Sequence, residues 1–306
     1  MSLRVLSVTR PRLRIVRVDV LLPTYGSPAL VREAVLSALA QDHADLRLVL
    51  VDDADPDPTT RDWAATLADD RVEVVRNTQN LGVNGNFRRC LELAEAPYLV
   101  VMGQDDVMLP GHLSGLVRLL EAHPEAVVAQ PGVRAIDAEG RSVRPLADRV
   151  KARLGPRHVS LLAGEALAAG LLRGNWTYFP ALGWRTEAVR RIGFRPGLEV
   201  VLDLALLLDV AREGGGLAFD PAVTFAYRRH AASVSSDAAL DGRRFVEERA
   251  FFAAEAVAFR TQGWGHAARA ARVHLTSRLH AASLLPRAAR AGDWTTARTL
   301  ARHTLA

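Results

Sequence analysis

Short apolar runs alternate with amphipathic segments from Val16 to about Ala129, and this alternation constrains the fold more than any other feature of the chain. The runs predict strands and the segments between them predict helices. Predicted strands cover 18–22, 46–51, 72–75, 98–102 and 126–129, and predicted helices cover 28–39, 59–67, 84–94 and the segment that begins at Pro110. Because the runs are apolar throughout, both faces of the sheet should be covered. We therefore predict an α/β fold with a Rossmann-like, mostly parallel central sheet flanked by helices.

The second half of the chain is predicted to be less regular. Residues 131–160 are rich in Arg, Gly and Pro, and we expect an irregular loop or flap there. Beyond them the pattern predicts helices at 164–172 and 202–212, an aromatic strand-like segment at 176–184 and a strand at 223–227.

From about Asp241 the chain becomes rich in Ala, Arg and Leu, which predicts a C-terminal helical appendage of about three helices. The apolar stripes of these helices are Phe245, Phe252 and Val257; Ala268, Ala271, Leu275 and Leu279; and Trp294, Ala297 and Leu300. The run 291–294 predicts a turn between antiparallel helices. We expect one domain over 1–240, with a first part at about 16–130 and a second at about 131–240, and a helical region over 241–306.

Composition and charge exclude several classes of protein. The formal charge of +5 is spread along the chain, and no basic run carries interleaved aromatics, so nucleic acid is not an expected partner. Cys90 is the only cysteine, which excludes an intrachain disulfide and favours a buried thiol. No run of 18 apolar residues predicts a transmembrane helix, and residues 1–18 carry five arginines without the apolar core of a signal peptide. We therefore expect a cytoplasmic protein.

Two adjacent carboxylates, Asp105 and Asp106, follow the predicted strand at 98–102, and Gly103 lets the chain turn out of the sheet. Ligands of open α/β sheets bind at this end of the strands. Two negative charges side by side are costly unless a cation joins them, and a divalent metal bound to a diphosphate is the simplest one. The alternative is a solvated pair at the start of the next helix.

A second acidic pair, Asp52 and Asp53, ends the strand at 46–51. A carboxylate there can accept hydrogen bonds from ribose hydroxyls or from the ring N–H that uracil and thymine each offer. Asx-turn formation in the loop rich in Asp and Pro is the alternative. In the Pro23-Thr24-Tyr25 loop after the first strand, Tyr25 can stack on a base and Thr24 can hydrogen-bond it, with a plain loop as the alternative.

The segment Asn80-Leu81-Gly82-Val83-Asn84-Gly85-Asn86 stands at the entry of the helix predicted at 84–94. Gly82 permits a tight turn, and the free amides of the first helical turn can meet a diphosphate. The alternative is that Asn84 only caps the helix.

The order of these motifs, together with Gln104-Asp105-Asp106 ahead of Pro110, resembles the GT-A-fold glycosyltransferase family 2 over about residues 16–235. The resemblance implies that Asp106 coordinates Mn²⁺ or Mg²⁺ bridging the donor diphosphate, with Asp105 nearer the ribose or sugar. It also implies that Asp53 contacts the base, with Tyr25 lining its pocket. Many members carry an acidic residue where this chain has Gln104.

Later motifs extend the resemblance. Leu202-Asp203-Leu204, followed by Glu213-Gly214-Gly215, resembles the acidic segment whose aspartate is the general base of the family, so Asp203 is the candidate base. The alternative is that Asp203 only complements the helix dipole. Asp209 on the same helix is expected to be structural.

The run Tyr227-Arg228-Arg229-His230 resembles the closing signature of the family. It implies that Arg228 neutralises phosphate charge and that His230 ligates the metal or holds the diphosphate; a structural histidine is the alternative. Trp176, Tyr178 and Trp184 can stack on an acceptor sugar, but core packing is favoured for them.

The resemblance predicts an inverting glycosyltransferase that uses a nucleoside-diphosphate sugar, UDP- or dTDP-sugar favoured, and a carbohydrate or other hydroxylated acceptor. Cell-surface polysaccharide and secondary-metabolite glycosylation both stay open. The alternatives are a non-catalytic sugar-nucleotide-binding or scaffold protein and a nucleotidyltransferase, although the loop at 23–29 lacks the Gly-rich basic sequence of the latter. A dinucleotide oxidoreductase would need a G-x-G-x-x-G turn there, which is absent. Through its C-terminal helices the protein is expected to dimerise, contact a membrane surface or cover the acceptor side.

Overall fold

The computed structural model describes residues 16–229 and 242–305, and within them a central sheet is flanked by helices on both faces. The strands are β1 (Val18–Thr24), β2 (Leu46–Asp52), β3 (Val72–Arg76), β4 (Tyr98–Val101), β5 (Val107–Met108), β6 (Ala126–Ile136), β7 (Ser142–Val143), β8 (Ser160–Ala163), β9 (Gly183–Arg185) and β10 (Gly216–Arg228). The helices are α1 (Pro28–Leu39), α2 (Thr59–Ala65), α3 (Gly82–Leu93), α4 (His112–Ala122), α5 (Leu146–Leu154), α6 (Gly164–Arg173), α7 (Thr186–Ile192), α8 (Leu202–Arg212), α9 (Arg243–Thr261), α10 (Gly265–Val273), α11 (Leu275–Arg290) and α12 (Trp294–Leu305). The predicted α/β fold is confirmed.

The first four strands lie in the order β3-β2-β1-β4, and all of them are parallel. Successive side chains point to opposite faces of the sheet. Val20 therefore packs in the core on one face and Leu21 in the core on the other, which explains why the strands are apolar throughout. Asp19 is an exception inside β1, and Arg47 on β2 lies 3.3 Å from its carboxylate. Because the four strands run the same way, the residues that follow them emerge at one edge of the sheet.

The segment 131–160 is ordered, so the prediction of an irregular loop was wrong. β6 continues well past its predicted end at Ala129, and β7, α5 and β8 follow it. Pro131 and Gly132 hid this strand in the sequence. They lie opposite a register shift in β10, and a Cβ at Gly132 would collide with the backbone of Pro221. The sheet is therefore mixed, with β5, β7, β8 and β9 antiparallel to their neighbours.

The aromatic segment 176–184 is not one strand either. A short 3₁₀ turn at Phe179–Ala181 interrupts it, and only β9 joins the sheet, between β4 and β6. Trp176 and Trp184 are buried, in agreement with the favoured expectation of core packing. Cys90 is buried as expected, and burial raises the pKa of its thiol.

Four helices lie between residues 242 and 305, where about three were predicted. Phe251 and Phe259 on α9 pack in the same core cluster as residues of α6 and α8. α11 and α12 form a hairpin over a smaller cluster that contains Leu300, and Gly292 in the predicted turn has φ +70°. The first two C-terminal helices thus share the main core, and the last two do not.

The predicted apolar stripes of these helices are only partly buried. Phe245, Phe252, Ala268, Ala271 and Leu300 are buried, whereas Val257, Leu275, Leu279 and Trp294 are exposed. No helix within residues 16–229 and 242–305 has the length and apolar character needed to cross a bilayer.

An ionic network joins α9 to α8 and to Arg195, which lies between α7 and α8. Glu255 on α9 is buried and pairs with Arg195 at 2.7 Å and also with Arg212 on α8. Asp209 lies between the same two arginines, 2.5 Å from Arg195 and 2.9 Å from Arg212. Asp209 is therefore structural, as expected from the sequence.

Candidate functional site

The acidic pair lies in a turn directly after β4, beside the end of β10. Asp106 is 1% exposed, and its Oδ1 accepts a hydrogen bond of 2.8 Å from the backbone N–H of Arg228. The Arg228 Nε donates to the backbone carbonyl of Asp105 at 2.7 Å. A Cβ at Gly103 would collide with Oδ2 of Asp106 and would lie 3.2 Å from Oδ1 of Asp105. A side chain at position 103 would therefore displace the carboxylates of the acidic pair.

This pair fits a divalent cation. Burial, and then the charge of Asp105, raise the pKa of Asp106 well above its ordinary value, although Arg228 and Arg229 oppose the shift. A cation between the two carboxylates would remove their repulsion and keep both ionised. Within the described residues no group of three or more His, Cys, Asp or Glu side chains could hold a metal. Two carboxylates suffice for Mg²⁺ or Mn²⁺ when diphosphate oxygens and waters complete the shell.

The other two residues predicted beside the metal have different outcomes. His230 lies outside the described residues. Arg228 is 2% exposed, and every nitrogen of its guanidinium group donates to protein: Nε to Asp105, the next nitrogen to the carbonyls of Asp137 and Ala138, and the last to Glu33 at 2.6 Å. Its position makes it a clamp behind the acidic turn, and direct contact with a diphosphate stays a prediction.

The second acidic pair divides into a structural residue and a candidate ligand. Asp52 accepts from the backbone N–H of Asp55 at 2.8 Å and forms ion pairs with Arg61 and Arg76, which is the loop-forming alternative. Asp53 is 3% exposed and accepts from Asn77 Nδ2 and the Leu81 N–H, both at 2.8 Å. Both bonds go to Oδ1, which leaves Oδ2 of Asp53 for a ligand N–H.

A hydrogen-bonded path joins this carboxylate to the acidic pair. The Asp53 N–H donates to the carbonyl of Thr24 at 3.0 Å. In the next residue, the Tyr25 N–H donates to Gln104 Oε1 at 2.8 Å, and Gln104 Nε2 donates back to the Tyr25 carbonyl at 3.1 Å. Thr24, together with Pro23 at the end of β1, is a backbone element of this path, while the Tyr25 ring is 50% exposed and free to stack.

The two asparagines at the start of α3 are held by the protein. Asn80 Oδ1 accepts the Gly82 N–H at 2.8 Å, so Asn80 forms the turn that leads into the helix. Asn84 is buried, and its Nδ2 donates to the carbonyl of Leu198. Its Oδ1 is buried without a hydrogen-bond partner among the described residues. Asn84 thus joins α3 to the loop before α8, and diphosphate contact by either residue stays a prediction.

Asp203 lies in the first turn of α8 and is partly exposed. Its Oδ2 accepts from Asn175 Nδ2 at 3.1 Å, and its Oδ1 accepts the Leu204 N–H at 2.7 Å. Tyr227 on β10 relates this residue to the acidic pair. Burial raises the pKa of the Tyr227 hydroxyl to about 12, and the charges of Asp106, Asp105 and Asp203 act in the same direction while Arg229 opposes them, so each of the three carboxylates lies near enough to Tyr227 to act on its hydroxyl.

Several residues of the site were missed in the sequence. Tyr178 donates to Asp148 at 2.7 Å, Asp148 pairs with Arg229 at 2.7 Å, and Lys151 lies 4.5 Å from the Tyr178 ring. Asp148 and Lys151 belong to α5, which was predicted to be irregular. The one available signal was that Lys151 is the only lysine of the chain.

Comparison with known proteins agrees with this geometry. The family model for glycosyl transferase family 2 matches residues 19–166. Succinoglycan biosynthesis protein ExoO of Rhizobium meliloti is 26% identical over 218 residues, which are 71% of this chain and 62% of that protein. An uncharacterized protein of Mycobacterium tuberculosis, MT1568, is 26% identical over 76% of this chain and 73% of its own length. The match to ExoO thus spans less than two thirds of that relative.

Solved structures show the same fold. S. aureus TarS 1–349, crystallised in complex with UDP-GlcNAc, superposes with a TM-score of 0.60 and 16% identity, covering 77% of this chain and 65% of that one. A second crystal structure of TarS 1–349 gives a TM-score of 0.57 and 17% identity, covering 93% and 90% of the two chains. These similarities establish the GT-A arrangement of sheet and helices.

Proposed function

Because the chain belongs to glycosyl transferase family 2, we propose that it is an inverting enzyme that moves a sugar from a nucleoside-diphosphate donor to an acceptor hydroxyl. The observation that carries the proposal is that three carboxylates from two separate motifs, Asp105, Asp106 and Asp203, all act on the Tyr227 hydroxyl. Two of them suit a metal-bound diphosphate, and the third comes from a separate helix, as an acceptor base must.

In the proposed reaction, different residues of the site bind the base, hold the metal and accept the proton of the acceptor. Asp53 Oδ2 accepts the ring N–H of the base, and the Tyr25 ring stacks on it. Asp105 and Asp106 would hold a divalent cation, which would supply positive charge to stabilise the leaving diphosphate. Asp203 accepts the proton of the acceptor hydroxyl as that oxygen attacks the anomeric carbon from the side opposite the leaving group. A single displacement of this kind inverts the configuration.

The donor and acceptor classes follow from the same contacts. A carboxylate oxygen that needs one ring N–H favours uracil or thymine, so we propose a UDP- or dTDP-sugar. The TarS structure with UDP-GlcNAc supports a uridine donor, and the name of ExoO supports a role in building a glycan rather than a small molecule. Glycan synthesis is therefore the proposed pathway class, with a growing carbohydrate as acceptor.

A thermal-shift panel of nucleotide sugars with and without Mn²⁺ tests the donor. We expect one UDP- or dTDP-sugar to raise Tm only when the metal is present. Transfer to a saccharide acceptor, followed by proton NMR of the product, then reports the anomeric configuration, which should be opposite to that of the donor. Binding of the donor without any turnover would favour a non-catalytic sugar-nucleotide-binding protein, and a retained configuration would contradict Asp203 as the base.

We also propose that α11 and α12 contact an anionic lipid surface. Residues 265–305 contain seven arginines and one acidic residue, and none of these arginines forms an ion pair with a described residue. Leu275, Leu279 and Trp294 are more than half exposed on the same two helices. A homodimer through this surface would bring like charges together, whereas anionic headgroups would neutralise them and the apolar side chains would enter the interface.

Cosedimentation with vesicles checks this contact. The protein should bind vesicles that contain phosphatidylglycerol, fail to bind pure phosphatidylcholine, and lose binding in high salt because the attraction is screened. Substituting Arg287 and Arg290 by Gln should weaken the binding, and Arg61→Gln, remote from these helices, is the control for lost charge. Self-association or DNA binding instead of vesicle binding would contradict the proposal.

A further inference from the structure

Lys151 is the only lysine among 39 basic residues, and its ammonium group lies against Thr177 and Tyr178. It belongs to α5, and its Nζ donates a hydrogen bond of 2.5 Å to the carbonyl of Thr177. The same nitrogen lies 4.5 Å from the centre of the Tyr178 ring, a cation–π distance. Lys151 therefore holds the segment that begins after α6.

That segment holds the candidate base. Asn175 Oδ1 accepts from the N–H and the hydroxyl of Thr177, at 3.3 and 2.6 Å. Its Nδ2 donates to Asp203 Oδ2 at 3.1 Å. Lys151 is thus connected to Asp203 through the 175–177 turn. Displacement of the ammonium group would remove the contact that holds Thr177 and would loosen the hydrogen bond from Asn175 to Asp203.

The charges around the ammonium group come from several elements. Burial lowers the pKa of Lys151 to about 8, and this is the largest effect. Asp203 on α8 and Asp148 on α5 favour the charged form, while Arg229 after β10 and Arg244 on α9 oppose it. The carboxylate that acts most strongly on Lys151 is therefore the candidate base itself.

We propose that Lys151 is a positioning residue for Asp203: the ammonium group of Lys151 fixes the 175–177 turn, and that turn holds the Asp203 carboxylate. The proposal rests on the proposed function. With the Lys151 ammonium group charged, the Asp203 carboxylate stays oriented toward the acceptor hydroxyl. When Lys151 loses its proton, the turn loses a charged anchor and Asp203 loses the cation beside it, so transfer slows as pH rises through the pKa of Lys151.

The first experiment needs no activity. Protein made with [¹³C]lysine carries one labelled residue, so a single ¹³Cε resonance reports the protonation of Lys151. We expect a midpoint near pH 8. Asp203→Asn should lower the midpoint because it removes a charge that favours the ammonium, while Asp209→Asn on the same helix should leave it unchanged. A midpoint at the ordinary value of about 10.4, or one that Asp203→Asn does not move, would overturn the proposal.

The second experiment follows kcat and KM against pH. Lys151→Met should lower kcat about tenfold, the factor that one pKa unit of charge interaction represents, with donor KM nearly unchanged. Lys151→Arg should recover part of kcat and extend activity to higher pH, because a guanidinium stays charged. Arg149→Met, an exposed change on the same helix, is the control. Unchanged kcat in folded Lys151→Met would overturn the proposal. If no nucleotide sugar is turned over, the proposed function fails while the NMR titration still decides whether Lys151 and Asp203 interact.

Discussion

The backbone of Tyr25 and the carboxamide of Gln104 hold each other by two reciprocal hydrogen bonds, of 2.8 and 3.1 Å. An amide side chain can accept from the N–H and donate to the carbonyl of the same residue, whereas an ionised carboxylate can only accept. Gln104, which stands where many family members have an acid, therefore ties the loop of the predicted base pocket to the acidic turn. This gives the departure from the family pattern a structural reason.

Gln104→Ala should release the Tyr25 loop. We expect the donor KM to rise about fivefold, since two exposed hydrogen bonds contribute about 1 kcal/mol, with little change in kcat. Initial-rate kinetics over a range of donor concentration measures both values. Gln262→Ala, in an exposed position after α9, is the matched control and should behave as the unmodified protein. A loss of kcat at unchanged KM would show that Gln104 acts on the reaction and not on the loop.

Asp53→Asn tests the base pocket. The amide oxygen can still accept hydrogen bonds from Asn77 and Leu81. The amide NH₂ group that replaces Oδ2 can only donate, so it would face the ring N–H of the base without forming a hydrogen bond. We expect UDP to bind about tenfold more weakly, the cost of roughly one hydrogen bond to a charged group.

Calorimetry with UDP and with N3-methyl-UDP gives the sharper measurement for Asp53. The unmodified protein should prefer UDP, and Asp53→Asn should bind both nucleotides alike. Asp52→Asn is the control: it loses the pairs with Arg61 and Arg76 and some stability, yet it should keep the preference for UDP.

Asp203→Asn should abolish transfer and leave binding of the sugar donor unchanged. Removal of a general base lowers kcat by about 10² to 10⁴-fold, and the isosteric amide keeps the contact with Asn175. Asp209→Asn, on the same helix, should instead lower the free energy of unfolding by about 1–3 kcal/mol through Arg195 and Arg212, with kcat per folded molecule unchanged. Equal loss of activity in both variants would mean that Asp203 is structural.

Asp106→Asn should separate cation binding from folding. We expect at least about 100-fold lower transfer, because a bound cation contributes several kcal/mol to leaving-group stabilisation. Without metal the variant should be as stable as the unmodified protein or more so, since the neutral amide is not repelled by Asp105. Melting curves with and without Mn²⁺ and donor test this, and a metal-dependent rise in Tm that survives the substitution would place the cation elsewhere.

His303 should make the C-terminal hairpin sensitive to acid. Burial lowers the pKa of His303 to about 4, whereas an unfolded chain titrates near 6.5. The unfolded state therefore binds more protons between these values, and stability should fall as pH decreases from about 6.5 to about 4. Urea unfolding followed by circular dichroism at several pH values measures the slope. His303→Phe, which cannot titrate, should flatten it within this window.

The first half of the fold was predictable because the parallel strands are apolar throughout and each ends in a polar motif. The register of β1 between β2 and β4 then brings Thr24, Asp52 and the acidic turn to one edge without further information. The second half was not, because Pro131 and Gly132 lie opposite a register shift in β10, a feature that depends on the partner strand.

The site could be predicted only where a residue acts through its own motif. Asp53, Asp106 and Asp203 each follow a strand or begin a helix, so the sequence pattern predicts where in the fold each one lies. Lys151 and Asp148 depend on where α5 packs, and no local pattern fixes that. The exposure of Leu275 and Leu279 could not be predicted, because helical spacing shows that an apolar stripe exists and does not show whether anything covers it.

The burial of Glu255 between Arg195 and Arg212, together with Phe251 and Phe259 in the main core, has a consequence for protein engineering. Truncating the chain after β10 would remove the buried partner of both arginines. It would also expose apolar core surface beside α8, the helix that carries Asp203. The C-terminal helices could therefore be exchanged between relatives only if α9 and α10 were transferred together with the α8 against which they pack. Among the helices described between residues 242 and 305, the α11–α12 hairpin is the part whose replacement would leave the contacts of α8 unchanged.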